Sequence, residues 1–213
     1  MIFAKRAIVA LALLAGLPPS AALAYDASWY KTDFWAGEYP HGFTLEKNVT
    51  AKIRAAPDPG APRTIDCAMK KGATYHPWNS KRVAASKLEF MSYVPTETYV
   101  IKTPVTLTLR NEKTDTDKKI SFNKGDEWTY LTYYAEGMFK MSFQGTHFTA
   151  EQDLFEASRE QAVKGSHKDR VDDEWMKLTC ANGKIGWLLA RDVLGKPPYG
   201  SPNFIEYGVA KDK

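Results

Sequence analysis

The feature that most constrains the fold of this chain is a short strand-like pattern that occurs twice. It reads Val-Thr-Ala-Lys-Ile-Arg at 49–54 and Val-Thr-Leu-Thr-Leu-Arg at 105–110. Apolar and polar residues alternate in both copies, which is the period of a half-buried β-strand. A polar, turn-rich stretch and a Lys-Gly pair follow each copy, and these pairs end at Gly72 and Gly125. The repetition predicts a small β-module that the chain uses twice.

The first 24 residues have the pattern of an export signal. Lys5 and Arg6 precede a short apolar run at 7–17, and Ala22-Leu23-Ala24 forms a small-x-small site, so cleavage is predicted before Tyr25. The apolar run is shorter than the roughly 20 residues that a membrane-spanning helix needs. We therefore expect a periplasmic or secreted protein with no transmembrane segment after cleavage.

Removal of that signal weakens the charge of the chain. The sequence carries 29 basic and 25 acidic residues, a net charge of +4, and loss of Lys5 and Arg6 lowers it to +2. So small a charge gives no basis for nucleic-acid binding. Taking 24 residues from 213 leaves 189, enough for one substantial domain or two small ones.

Two cysteines predict one disulfide. Cys67 and Cys180 are the only cysteines, and an even pair in an exported protein most simply forms a bond. The alternative is two separate buried thiols, which behave as small apolar side chains.

Composition divides the mature chain into five segments. They are an aromatic leader at 25–42, a strand-rich segment at 43–103, a second strand-rich segment with a helix at 104–165, a final hairpin at 173–195 and an extended tail at 196–213. The leader is either a platform for a flat ligand or an irregular loop that packs against the rest of the protein by burying its aromatic rings.

Several local patterns predict particular elements. Thr149 and Gln152 fit a capping box that begins a short helix, with Gly165 as its C-terminal cap. Asn182-Gly183 predicts a type I′ turn in the final hairpin, since both central residues of that turn need positive φ. Residues 88–101 are compatible with a further hairpin.

The order of these motifs resembles bacterial SH3-like modules. Residues 53–58 and 69–72 are similar to the first half of such a module, with its Arg-containing strand, Pro-containing loop and Lys-Lys-Gly strand end. Residues 175–178, 182–187 and 192–194 are similar to the second half, with its Asn-Gly hairpin and Gly-Trp pair. The resemblance implies a mainly β fold of one or two small SH3-like β-barrels.

Two layouts are compatible with this resemblance. The central copy at 107–154 is similar to a full but divergent module that lacks the Gly-Trp pair. Either it is inserted into a split outer module, whose halves a Cys67–Cys180 disulfide would join, or the two modules are sequential and the final hairpin is an addition.

No catalytic pattern is present in the sequence. The histidines show no metal-ligand spacing, and there is no nucleophile or phosphate-loop motif. These histidines are His41, His76, His147 and His167. His147 lies in a strand pattern that is typical of a half-buried sheet residue. We therefore expect a protein without enzymatic activity, cofactor or metal.

The resemblance implies a binding module whose ligand lies in a groove lined by aromatic residues. Its ligand would be a peptide or a cell-wall component of the bacterial envelope. The candidate residues are Tyr75, Trp78, Trp128, Tyr133, Trp175 and Trp187. The alternative is that most of these residues belong to the hydrophobic core. The alternative function is an inhibitor or envelope-assembly factor that docks on a single periplasmic protein through an apolar patch in the leader.

Overall fold

The computed structural model describes residues 25–35, 37, 41–76, 89–159, 161–165, 171–201, 204–205 and 209–210. The strands are β1 Trp29–Thr32, β2 Phe43–Leu45, β3 Val49–Ile53, β4 Ile65–Met69, β5 Thr74–Tyr75, β6 Glu89–Pro95, β7 Glu97–Val100, β8 Val105–Asn111, β9 Thr116–Phe122, β10 Glu127–Ala135, β11 Met138–Phe143, β12 Thr146–Ala150, β13 Asp173–Thr179, β14 Ile185–Leu189, β15 Tyr199–Gly200, β16 Phe204–Ile205 and β17 Val209–Ala210. One α-helix, α1, spans Gln152–Glu156. The predicted mainly β chain with a short helix is confirmed, and the sheets of the described residues are open rather than closed into a barrel.

Both copies of the repeated pattern form the first strand of an antiparallel hairpin. β3 pairs with β4, and β8 pairs with β9. A glycine with positive φ follows each second strand, Gly72 at 78° and Gly125 at 95°. The arginines that end the two copies differ, because Arg54 is buried and Arg110 is exposed.

The largest sheet has six antiparallel strands in the order β7-β10-β11-β12-β8-β9. Alternate residues of its strands point to one face and form an aromatic-rich core. Trp128 stacks on Tyr99 at a centroid distance of 4.9 Å, and Phe155 of α1 closes on Trp128 edge to face at 5.0 Å. The short helix therefore serves as a lid on this core.

The second sheet has four strands in the order β1-β6-β13-β14. Its first strand belongs to the aromatic leader, which is therefore partly regular rather than an irregular loop. Trp29 lies opposite Pro95, and Thr32 lies opposite Ser92. This pairing fixes the leader at the edge of the sheet.

A separate core lies under this sheet and combines residues that are far apart in the sequence. Phe43, Ile53 and Met69 of the early strands pack with Met176 and Leu188 of the final hairpin. The backbone N–H and C=O groups of Arg54 and Trp187 exchange hydrogen bonds of 2.9 and 2.7 Å. The predicted disulfide between Cys67 and Cys180 is present in the same core.

The prediction of a hairpin at residues 88–101 is wrong. β6 and β7 are consecutive, but β6 pairs with β1 and β13, whereas β7 pairs with β10. Thr96 lies between them, and its backbone N–H donates to Ser28 O at 2.8 Å. The chain therefore crosses from one sheet to the other at this residue.

The observed helix is shorter than the sequence predicts, and both predicted caps are wrong. Thr149 lies in β12 opposite Lys140, so it belongs to a strand and is not the N-cap of the helix. Glu151 precedes the helix without a side-chain cap. After the helix the chain runs along β7, where Val163 N–H donates to Thr98 O at 2.8 Å. Hydrogen bonds to the edge strand β7 therefore stabilise this segment more than continuation of a helix with a weak apolar stripe would.

The final hairpin is confirmed, but its turn type is wrong. Gly183 has positive φ, whereas Asn182 does not. Gly183 N–H donates to Cys180 O at 2.9 Å, which closes a turn with only one left-handed residue. The Asn182 side chain instead donates to Asp66 O at 2.8 Å, so it connects the hairpin tip to β4.

Candidate functional site

Most of the aromatic residues that the sequence suggests as a ligand platform lie in the cores. Trp128 is 1% exposed and Trp175 is 0% exposed, and Tyr75 and Trp187 are 8% exposed. Tyr133 is half-buried in β10. The remaining candidate, Trp78, lies outside the described residues. The buried rings support packing, the alternative that the sequence left open, because little or none of their surface is accessible.

A polar network covers the outer face of the four-stranded sheet. Tyr25 is its centre: its hydroxyl donates to Asp173 Oδ2 at 2.6 Å and accepts from Trp175 Nε1 at 2.9 Å. Arg191 forms a two-pronged ion pair with Asp173, at 2.7 and 3.1 Å. Burial raises the pKa of Asp173, and burial with the hydrogen bond to Asp173 raises the pKa of Tyr25. Each of the four groups contacts another member of the network, and the Tyr25 hydroxyl thereby ties the leader to β13.

A second group of charges extends this network. Arg54 and Arg63 both contact Asp192 Oδ2, at 3.1 and 2.7 Å. The Arg54 guanidinium also lies 5.3 Å from the centre of the Trp175 ring. The Arg54 side chain is buried between Asp192 and the Trp175 ring, so little of it is accessible to a ligand.

A surface groove of about 710 Å³ lies between the two sheets. Residues of the leader, of the β6–β7 crossing and of the outer face of the six-stranded sheet line it. They are Ala27, Ser28, Trp29, Tyr30, Pro95, Thr96, Thr98, Thr129, Leu131, Ser142, His147, Lys164 and Gly165. Lys164 is the only lysine, arginine, aspartate or glutamate among them, and its ammonium group contacts Glu127 at 3.5 Å.

The floor of this groove is a row of polar side chains that crosses four strands. Thr129 lies opposite Thr98 on one side and Ser142 on the other, and Ser142 lies opposite His147. Directly opposed residues point to the same face of a sheet, so all four side chains face the groove. Three strand-to-strand steps give the row a length of about 14 Å.

The opposite wall carries the half-buried ring of Tyr30, which meets His147 edge to face at 5.9 Å. Trp29 also lines the groove, but it is the neighbour of Tyr30 in β1, so its side chain points to the other face, where its ring packs on Tyr25 at 5.1 Å. His147 itself is exposed, not half-buried as its strand pattern suggests. The Tyr30 ring and the hydroxyl row face a space that is large enough for a short oligomer.

The arrangement offers hydrogen-bonding hydroxyls and aromatic surface to a polar ligand. Hydroxyls both donate and accept, so they suit a ligand with many hydroxyl or amide groups. Within the described ranges, no three His, Cys, Asp or Glu side chains come together in a way that would hold a metal ion.

The sequence could not identify these groove residues, because three of them are ordinary threonine and serine residues in strands. The alternation of β11 does place Ser142 on the face opposite Phe139 and Phe143. What it does not give is the register that aligns Thr98, Thr129 and Ser142 with His147. Only the pairing of distant strands creates the row.

In comparisons with known proteins, no family model, no curated protein and no solved structure matched this chain. A separate finding is that none of the helices in the described part of the chain has the length and apolar character needed to cross a membrane.

Proposed function

We propose that this protein is an exported, non-enzymatic binding protein of the bacterial envelope, periplasmic or secreted, that recognises a peptide or a cell-wall component. The observation that carries the proposal is the groove, in which a row of hydroxyls faces the ring of Tyr30. The pattern at the start of the chain, which is typical of an export signal, and the Cys67–Cys180 disulfide support the compartment.

The protein consists, in this proposal, of two SH3-like modules, one inserted into the other. The order of motifs supports the SH3-like character, and the composition of the two cores supports the insertion. One core takes residues from 43–90 and 176–193, whereas the other takes residues from 99–154 only. Cys67 and Cys180 then join the two halves of the outer module.

Binding to purified cell-wall sacculi tests the proposal. The mature protein should co-sediment with sacculi at low salt. Ser142→Tyr should weaken that binding at least tenfold, because a ring would fill the floor of the groove. Thr106→Tyr is the matched control, since Thr106 is exposed on β8 of the same sheet, outside the groove. Absence of co-sedimentation, or equal binding by both variants, would contradict the proposal.

A second candidate function is docking on a single partner protein. Phe34 is 43% exposed and stacks on Trp35 at 3.5 Å, which leaves an aromatic pair at the surface of the leader. Phe34→Ser should abolish capture of one periplasmic protein if this function is correct. Under the leading proposal the same variant binds sacculi as well as the unmodified protein does.

A further inference from the structure

We propose that β9 binds an extended acidic segment of a partner protein, which adds to the six-stranded sheet as a further strand. The inference goes beyond the proposed function and does not rest on it. β9 forms one edge of that sheet, and none of its residues lines the groove.

β9 is the longest strand edge that the described residues leave uncovered. The opposite edge of the same sheet, β7, is covered, since the N–H groups of Arg159 and Val163 donate to its carbonyl groups at 2.9 and 2.8 Å. In the four-stranded sheet, β14 bonds to Arg54, and β1 has only four residues. β9 has seven residues, and within the described part of the chain only β8 pairs with it. An open edge of this length is a template for a further strand.

The direction of the backbone groups of β9 follows from its neighbours. Glu112 N–H donates to His147 O at 3.2 Å, so the even-numbered residues at this end of β8 direct their N–H and C=O groups toward β12. In an antiparallel ladder these groups alternate in direction from residue to residue. The odd-numbered residues of β8 therefore bond to the even-numbered residues opposite them in β9. The N–H and C=O groups of Asp117, Lys119 and Ser121 consequently point to the open side.

The register of β9 is regular along its whole length. It pairs with β8 from Val105 opposite Phe122 to Asn111 opposite Thr116 without a shift, whereas the pairing of β10 with β11 is interrupted twice. Natural proteins commonly protect an edge with a bulge, a proline or a covering loop. β9 contains neither a bulge nor a proline, and no described loop forms backbone hydrogen bonds with its open side. Its open groups therefore keep the spacing that a pairing strand requires.

Two adjacent lysines place positive charge on this edge. Lys118 lies opposite Leu109 and Lys119 lies opposite Thr108, so the two side chains point to opposite faces of the sheet. Both lysines are exposed, and neither forms an ion pair with another described residue. A strand that pairs with β9 therefore meets one ammonium group on each of its faces.

The nearby carboxylates already have cationic partners. Asp115 and Asp117 both contact the Arg110 guanidinium, at 2.8 and 3.4 Å, and Glu112 contacts Lys140 at 3.2 Å. The charge of the two β9 lysines is therefore not offset within the hairpin, and it favours a partner that carries carboxylates.

The same charges disfavour a second copy of this chain as the occupant. Two β9 strands that pair antiparallel around Lys118 or Lys119 place like charges directly opposite each other, which destabilises the pair. Lysines on an edge are a common protection against such self-pairing. A strand with two adjacent acidic residues reverses this effect, because one carboxylate reaches a lysine on each face. The edge therefore discriminates in favour of an acidic strand.

Binding of short synthetic peptides to the mature protein, measured by fluorescence anisotropy, tests the inference. The first peptide is built of threonine and valine with two adjacent glutamates at its centre, and both of its ends are blocked. The second has lysines in place of the glutamates. The third is the glutamate peptide with methylated backbone nitrogens, which removes the donors but keeps the charge. The glutamate peptide should bind, and each of the other two should bind at least about tenfold more weakly.

Ser121→Pro tests the role of the open backbone groups. Proline removes the outward N–H of this residue and leaves the bonds between β9 and β8 in place, because an edge strand tolerates proline where the N–H faces solvent. The variant should bind the glutamate peptide about tenfold more weakly. Ser121→Ala is the matched control, since it also removes the hydroxyl that contacts Thr106 at 3.0 Å but keeps the N–H. Equal affinities of the two variants would overturn strand addition.

Lys118→Gln/Lys119→Gln tests the role of charge without a change to the backbone. It should weaken binding of the glutamate peptide about tenfold and remove the preference over the lysine peptide. Lys70→Gln/Lys71→Gln is the matched control, because these lysines are also adjacent and exposed but follow β4 in another sheet. Equal losses in the two double variants would mean that general charge attracts the peptide, and would overturn the inference.

The remaining outcomes also decide the inference. Equal binding of the glutamate and lysine peptides, or of the methylated and unmethylated ones, would overturn it. A concentration-dependent dimer that Ser121→Pro abolishes would assign the edge to a second copy and would overturn the acidic partner. Absence of binding by all three peptides would overturn the inference and leave the proposed function in place, because the groove is a separate surface.

Discussion

At the scale of single residues, the most constrained group is the carboxylate of Asp173. It is 1% exposed, and it contacts Arg191 and the hydroxyl of Tyr25. A buried carboxylate is tolerated only where its partners replace the water that it loses. Tyr25 also stacks on Tyr93 at 3.7 Å, so the carboxylate and the ring together hold the start of the described chain.

Asp173→Ala should lower the free energy of unfolding by about 1–3 kcal/mol, because it removes the acceptor of the Tyr25 hydroxyl and leaves a cavity beside Arg191. The lower part of that range is favoured, since Arg191 is half-exposed and water replaces part of the lost contact. Urea unfolding measures the change. Asp66→Ala is the control: its ion pair with Lys52 is exposed, so its midpoint should not move. Equal shifts in the two variants would contradict this account.

His41 provides a pH-dependent contribution to stability. Its hydrogen bond with the Glu174 carboxylate raises the pKa of the imidazole above its usual 6.5. The folded state therefore holds the proton more tightly than the unfolded chain does. The resulting stabilisation is fully present below pH 6.5 and is lost as the pH rises through the raised pKa.

The urea midpoint should consequently fall as the pH rises above about 6.5, the usual pKa of histidine. His41→Gln should show a smaller fall, because a neutral amide replaces the titrating ring. A variant with the same pH dependence as the unmodified protein would show that another group is responsible.

At the scale of elements, the turns decide how the strands are paired. Gln144 and Gly145 join β11 to β12 and both have positive φ, 48° and 74°. A two-residue loop with two left-handed residues is the type I′ turn that suits the twist of a hairpin. Glutamine is an unfavourable residue there, since asparagine adopts this conformation more readily.

Gln144→Asn should therefore stabilise the protein by about 0.5–1 kcal/mol. Thermal unfolding measures the gain. Glu136→Asn is the matched control in the neighbouring hairpin, where only Gly137 has positive φ. A gain in Glu136→Asn and none in Gln144→Asn would contradict the assignment of strain to Gln144.

The sequence predicts individual strands better than it predicts their partners. Alternation identifies β3, β8 and β11, because each has one face in a core. It fails at residues 88–101, where two adjacent strands look like a hairpin but join different sheets. Nothing local distinguishes these outcomes, since the deciding contacts are with β1 and β10, which lie far away in the sequence.

At the scale of the whole molecule, two large cores, a small cluster of Trp175, Trp187 and Leu189, and one covalent link organise the described residues. The disulfide joins residues 113 apart, and all of the second core lies between them. The predicted pairing of these two cysteines is confirmed, and both lie in the same core. The sequence is sufficient to predict it because it contains only two cysteines. The groove is different: its floor and wall come from separate sheets, so no segment of sequence contains it.

Replacement of both cysteines by serine should destabilise the protein by about 4–5 kcal/mol in the chain-entropy model, since a long loop regains its freedom in the unfolded state. Hydrogen exchange locates the effect. Amides of β3 and β4 should lose protection, whereas amides of β10 and β11 should keep theirs. A uniform loss over both pairs would show that the two cores unfold as one unit.

The central claim is that the groove between the sheets binds a ligand through its hydroxyl row. An NMR titration of the mature protein with glycan-peptide fragments released from sacculi by a muramidase tests this claim most directly. We predict that saturable shift changes will cluster at Thr98, Thr129, Ser142 and His147. Saturable changes confined to other surfaces, such as the exposed ring of Phe34, or no changes at any fragment concentration, would contradict it.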